Sequence, residues 1–245
     1  MDWDTVPVGE RPLFGPCCGT GALGATLEDA VQTVLPPLPT PAEQADRLIA
    51  LGVHEVAGLA EADLRAAAEN VAMPGALLVV HPERAAASTL APLLRLNGKP
   101  GFVVTDMTDV DDFTPVDDAK LPDTPVYAVV DLDRGDDMAN WSPDEALPAI
   151  AAGGRTPLTL TEGISWLLQT PEVLDRNHCF MTIGSRTRKA NGALDARTPA
   201  LWISNGTGRD GAERRNAPKV GWCWAGNRHT WLGFASAGQR TPLLG

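Results

Sequence analysis

The chain has 245 residues, 44% of them apolar and 21% charged, with 24 Gly, 21 Pro and a formal net charge of −11. Ordinary apolar content without periodic Gly or heptads excludes collagen, coiled coil and bulk disorder, and this length buries a core, as one large domain or two small ones, without disulfides or a structural metal. Residues 1–150 hold 25 Asp and Glu against 8 Lys and Arg, net −17, and residues 151–245 hold 6 against 12, net +6, a split that suits a small anion in the C-terminal part better than duplex nucleic acid across the whole.

The N-terminus, MDWDTVPVGERP, has neither a basic nor an apolar leader region, and no stretch reaches the roughly 18 apolar residues of a bilayer span. A soluble, cytoplasmic protein is expected, with no membrane partner. Residues 1–25 form a Gly- and Cys-containing segment in which Gly19-Thr20-Gly21-Ala22-Leu23-Gly24 fits G-x-G-x-x-G. RPLFGPCC stands where a dinucleotide fold needs a strand, so that match is discounted, although glycine amides ahead of a helix can meet an anion. Cys17, Cys18, Cys179 and Cys223 read as thiols. Adjacent His178 and Cys179 rarely converge on one ion and no C-x-x-C occurs, so neither a metal nor a cofactor is expected.

Residues 26–75 read as an acidic helical region: TLEDAVQTVL, a break at PPLPTP, then AEQADRLIALGV and AEADLRAAAEN with helical apolar spacing. Residues 76–245 read as a mixed α/β domain carrying the site. ALLVVH predicts a strand, STLAPLLRL a short helix and GFVVTD a second strand. Seven Asp and two prolines in 106–123 predict a solvated connector with surface acids. PVYAVVDLD is the clearest strand and ends in Asp131, Asp133, Arg134, Gly135, Asp136 and Asp137, which either bind a cation or amine or cap the strand as a charged turn.

Ser142-Pro143-Asp144-Glu145 predicts a helix start, with an end near Gly153–Gly154. Thr159 with Glu162 three residues on has capping-box spacing ahead of GISWLLQ, which gives Glu162 a structural reading beside a catalytic one. HCFMTIG, ALWIS and KVGWCW predict a meander of strands separated by SRTRKANGALDART and NGTGRDGAERRNAP. The expected class is α+β, mixed: an acidic helical N-terminal region, a central mixed sheet with helices and Trp-rich C-terminal strands, with no known superfold signature.

Five of the seven tryptophans lie at 166, 202, 222, 224 and 231. Trp222 and Trp224 share one strand face and Cys223 takes the other. With Trp231, and with Asn227, Arg228, His229 and Thr230 as a polar rim, they form either the wall of a small-molecule pocket or an aromatic core. Ser185-Arg186, directly after an apolar strand, suits sulfate, phosphate or carboxylate, or belongs to a solvated loop with Arg188 and Lys189. Signatures for a nucleophilic triad, Walker A loop or zinc protease are absent from the sequence.

The ordered runs LNGKPGFVVTDMTDVDDFTP, PVYAVVDLDRG, SPDEALPAIAAGGRTPLTLTEGISWLL, NHCFMTIGSR, PALWIS and PKVGWCWAGNRHTWLGFASAG resemble, over roughly residues 40–240, an actinobacterial family of uncharacterised proteins with a domain of unknown function. The similarity extends to azinomycin- and vazabitide-type biosynthetic enzymes, in which two associated subunits close an aziridine ring by eliminating sulfate from an amino-sulfate. It implies an amino-sulfate substrate and a second protein subunit. Under that resemblance Ser185, Arg186, Asn227, Arg228 and Thr230 hold the sulfate, Asp131, Asp133, Glu162 or His229 takes the amine proton, and Trp222, Trp224 and Trp231 exclude water. The alternative is a non-catalytic subunit that binds a small anion or completes a partner's pocket. A single-stranded nucleic-acid role for the basic, Trp-rich end is disfavoured by the net charge of −11.

Overall fold

The computed structural model describes residues 35–176 and 178–243. The segment 1–25 with Cys17 and Cys18, and nearly all of the helix expected from residue 26, lie outside the described residues. The described chain has six α-helices: α1 (Pro41–Ala50), α2 (Val53–Ala57), α3 (Glu61–Glu69), α4 (Ala87–Leu90), α5 (Pro143–Ala152) and α6 (Leu160–Gln169). Its strands are β1 (Leu77–Val80), β2 (Arg95–Leu96), β3 (Lys99–Pro100), β4 (Phe102–Val103), β5 (Thr114–Pro115), β6 (Val126–Val130) and β7 (Thr156–Pro157). They continue with β8 (Cys179–Met181), β9 (Ser185–Arg186), β10 (Arg197–Ile203), β11 (Pro218–Trp224), β12 (Leu232–Phe234), β13 (Ser236–Ala237) and β14 (Gln239–Pro242).

The architecture is mixed α+β without a closed barrel among the described residues. An antiparallel sheet runs β1-β6-β14, and a five-stranded mixed sheet runs β12-β8-β10-β11-β4. In the second sheet β8, β10 and β11 form the antiparallel meander read from the sequence, flanked by β12 parallel to β8 and β4 parallel to β11. Local chemistry explains the helix starts. Glu145 accepts from the Ser142 amide at 2.9 Å and hydroxyl at 3.0 Å, and the Thr159 amide donates to Glu162 at 2.8 Å, so both capping pairs form where the spacing predicted them. STLAPLLRL is α-helical only to Leu90 and continues as a 3-10 turn over Ala91–Leu93, because Pro92 lacks the N–H that an α-helix interior requires.

Every residue of α6 is buried, polar Thr161, Glu162, Ser165 and Gln169 included, and the helix contacts both β1 and β10, joining the two sheets. Gly163 permits that approach, since a Cβ there would lie 2.5 Å from Thr182 Cγ2 and 2.7 Å from Leu201 Cδ1. At the edge of β1 not paired with β6, Gln44 of α1 donates to the Ala76 carbonyl and accepts from the Leu78 amide, both at 2.8 Å. Helices α1 and α3 thereby share one continuous hydrophobic core with the sheets.

Candidate functional site

The carboxylates after β6 are held as a turn. Asp131, exposed and at φ +57°, takes Arg155 Nη1 at 2.5 Å, while Arg155 Nε donates to Ser236 Oγ at 2.8 Å. Asp133 accepts the Gly135 amide at 2.8 Å. Between them Arg134, 2% exposed, pairs with Asp136 and donates to the Val173 carbonyl at 2.7 Å. Asp131, Asp133, Arg134 and Asp136 thus fix the chain's exit from the strand, while Asp137 is exposed.

Glu162 is 0% exposed and fully engaged. One oxygen accepts Tyr127 Oη at 3.1 Å and Arg240 Nε at 2.6 Å, and the other accepts Arg240 Nη2 at 2.7 Å and the Thr159 amide. Burial and this neighbouring carboxylate raise the Tyr127 phenol well above its usual range. The group is a buried ion pair tying α6 to β6 and β14, and none of its lone pairs is left to take a substrate proton.

Ser185 and Arg186 are adjacent but act separately. Ser185 Oγ accepts the Leu160 amide at 2.9 Å and so caps the first turn of α6. Arg186, on β9 opposite Thr114, is 5% exposed and donates through Nη2 to the Asp195 carbonyl. Its Nε–H and the neighbouring Thr187 hydroxyl are buried without hydrogen-bond partners. Burial lowers the guanidinium from its usual value, while Asp144 and Asp195 oppose that shift. Among the described residues no carboxylate forms an ion pair with it within 4.0 Å.

From Arg186 the connections run to the tryptophans. Asp195 also binds Arg197, whose guanidinium makes a two-pronged bond to Asp109 at 3.1 and 2.7 Å. Hydrogen bonds from Arg197 hold both Asp109 and Asp195 below the usual carboxylate range. Arg197 lies 5.4 Å from the Phe113 ring centre and 5.9 Å from that of Trp222, and Trp222 meets Trp224 edge to face at 4.6 Å. One end of the β10–β11 pair therefore collects Arg186, Trp222 and Trp224 of the sequence-predicted residues. It adds Arg197, Asp109, Phe113 and Asp144, which the sequence reading missed.

The other expected members lie elsewhere, and the single aromatic wall is corrected to two. Trp202 covers Gly221, where a Cβ would be 2.4 Å from the indole, and so occupies the face of β11 opposite Trp222. Trp231 joins Trp202 at 6.4 Å and His229 at 5.4 Å. Burial lowers the His229 pKa, and its Nε2 is buried without a partner. Arg228 bonds Glu145 and the Asn140 carbonyl, and Asn227 and Thr230 are exposed. Arg228 is therefore spent on the capping acid of α5.

A family model described as a family of unknown function, DUF5701, matches residues 47–243. The chain belongs to DUF5701. Comparison with curated proteins and with solved structures gave no match. In this DUF5701 chain no three His, Cys, Asp or Glu side chains gather as metal ligands among the described residues, and no described helix is long and apolar enough to cross a membrane. Two hollows, of about 90 and 230 Å³, are lined by His81, Arg84 and Asp123 and by Leu51, Leu93 and Leu168 respectively, none of them a sequence-predicted site residue. Asp109 also corrects the picture of the 106–123 connector as wholly solvated, since Arg197 half-buries it. Nothing in DMTDVDDF distinguishes that acid from its neighbours.

Proposed function

We propose that the domain holds a small oxyanion at Arg186. In its most specific form, the anion is the sulfate expelled when an amino-sulfate closes to an aziridine, in the specialised metabolism that the sequence resemblance implies. The observation supporting this is the buried guanidinium whose Nε–H has no acceptor, beside a buried Thr187 hydroxyl in the same condition. Leaving a buried donor unmet costs about 1–3 kcal/mol, which an arriving oxyanion relieves by accepting from it. Entry requires the loop 187–195 to lift, since Arg186 itself bonds the Asp195 carbonyl beneath it.

In the ring closure the amine lone pair forms the N–C bond as the C–O bond to sulfate breaks, one amine proton is lost, and sulfate departs as a dianion. Arg186 stabilises the departing charge. For the proton, Glu162 is committed to Arg240, Asp131 to Arg155 and Asp133 to the Gly135 amide, while His229 belongs to the Trp202 face. Asp144 is exposed, lies within the field of Arg186 and makes no side-chain hydrogen bond among the described residues, so the reading assigns it the base.

A second version, in which the chain completes a partner's pocket, is favoured by two tryptophans left exposed, Trp141 at 40% and Trp224 at 49%. They flank the seam where Asn140 and Asp144 bond to His229 and Ala225. Inorganic sulfate tests the anion site: it should raise the melting temperature of the full chain more than that of Arg186→Gln in the same salt, which cancels the general salting effect. Equal rises refute the site. With 2-aminoethyl hydrogen sulfate as substrate, Arg186→Gln and Asp144→Asn should each cut sulfate release by about 100-fold or more. Release unchanged in both variants removes the ring-closing version, and sulfate binding without release favours the subunit version.

A further inference from the structure

The 230 Å³ hollow lies at the C-terminal end of α6. Ser185 caps the N-terminal end of the same helix, so the hollow is separated from Arg186 by about 15 Å of helix. Leu51, Leu93, Leu167 and Leu168 line it, and Arg47 and Arg95 complete its rim. The two guanidiniums are bound only in part. Arg47 donates through Nη1 to the Gln169 carbonyl at 2.5 Å, and Arg95 donates through Nη1 to the Pro92 and Leu94 carbonyls at 2.6 and 2.7 Å. Among the described residues neither has a carboxylate within ion-pair distance, and both keep Nη2–H and Nε–H donors unused.

An apolar floor with two unpaired arginines at its rim selects an amphipathic anion. Such a ligand buries its tail on leucine and presents a carboxylate to planar, forked donors. Size narrows the class. A cavity of about 150 Å³ takes benzene, so 230 Å³ has room for one ring with a short acidic arm and not for a two-chain lipid. Carbonyls at a helix C-terminus disfavour an anion, and here Arg47 already covers the Gln169 carbonyl.

We infer that this groove binds a small arylalkyl or short-chain acyl carboxylate through Arg47 and Arg95, independently of the anion proposed at Arg186.

Calorimetric titration of the full chain with phenylacetate at low ionic strength tests it. Binding is expected with a Kd of about 1 mM or tighter, and 2-phenylethanol, which keeps the ring and lacks the charge, should bind at least tenfold more weakly. Arg95→Gln should weaken phenylacetate about tenfold, and Leu93→Trp, which fills the groove, should abolish binding while leaving the unfolding transition intact. Should Leu93→Trp fail to fold, Leu51→Phe serves in its place. Arg186→Gln should leave phenylacetate affinity unchanged while removing the extra rise in melting temperature that sulfate gives the full chain, which keeps the two proposals separable. No binding up to about 10 mM, equal affinity for acid and alcohol, loss on Arg186→Gln, or indifference to the Arg95 and groove-filling variants would each overturn the inference.

Discussion

Removing the Glu162 side chain is the most direct test of how the two sheets are joined. Glu162→Ala deletes four hydrogen bonds at once and leaves Arg240, 5% exposed on its side chain, charged without a counter-ion. Breaking a buried pair from one side costs about 3–5 kcal/mol, because the surviving charge stays desolvated. Against a total stability of about 5–15 kcal/mol, the loss brings the domain close to unfolding. With a urea slope of roughly 2 kcal/mol/M, the midpoint should fall by about 1.5–2.5 M at unchanged slope. Trp166, 2% exposed and 5.5 Å from the Phe180 ring, supplies a fluorescence signal from the affected core. The double variant Glu162→Met with Arg240→Met removes both charges and should regain about 2 kcal/mol or more relative to Glu162→Ala. A midpoint shift below about 0.5 M, or a double variant less stable than the single one, would refute the reasoning.

Other expectations can be checked with the same preparation. Asp109 has its pKa lowered by Arg197, so its contribution is present above the unfolded carboxylate value of about 3.9 and is lost as pH falls through the lower folded value. Asp109→Asn should therefore flatten the decline of the urea midpoint below about pH 4, and an unchanged decline would count against the ion pair. Gly163→Ala gains helix propensity of about 1 kcal/mol but forces its methyl into Thr182 and Leu201, so a net loss of about 1–2 kcal/mol is expected; a raised melting temperature would contradict that packing. Burial pushes the Cys179 and Cys223 thiols up to about 11, so both should resist iodoacetamide at pH 8 until urea unfolds the chain. Peptide mass mapping reads this directly, and full labelling of either in the native protein would contradict it.

What was legible in the sequence was local. The Ser142–Glu145 and Thr159–Glu162 pairs form at the predicted spacing because capping is decided within one turn. Strands β6, β8, β10 and β11 carry enough β-branched and aromatic residues to be read directly. Strands of two residues, such as β5, β7 and β9, have no period to detect and owe their pairing to distant partners. The same holds for the charges. Glu162 and Arg240 are 78 residues apart and Arg197 and Asp109 are 88 apart, so only the fold reveals which carboxylate each guanidinium takes. Alternation placed Trp222 and Trp224 together but could not be carried past the turn to Trp231, which the chain delivers to the opposite face.

Gln44 gives the molecule a property that its burial alone does not convey. Its carboxamide offers Ala76 a donor and Leu78 an acceptor, in the arrangement of a neighbouring peptide group. The outer rim of the β1-β6-β14 sheet is thus occupied by a helix impersonating a strand. Another chain cannot extend the sheet from that side without first unseating α1, so the contact that anchors the helix also protects the protein against strand-by-strand aggregation.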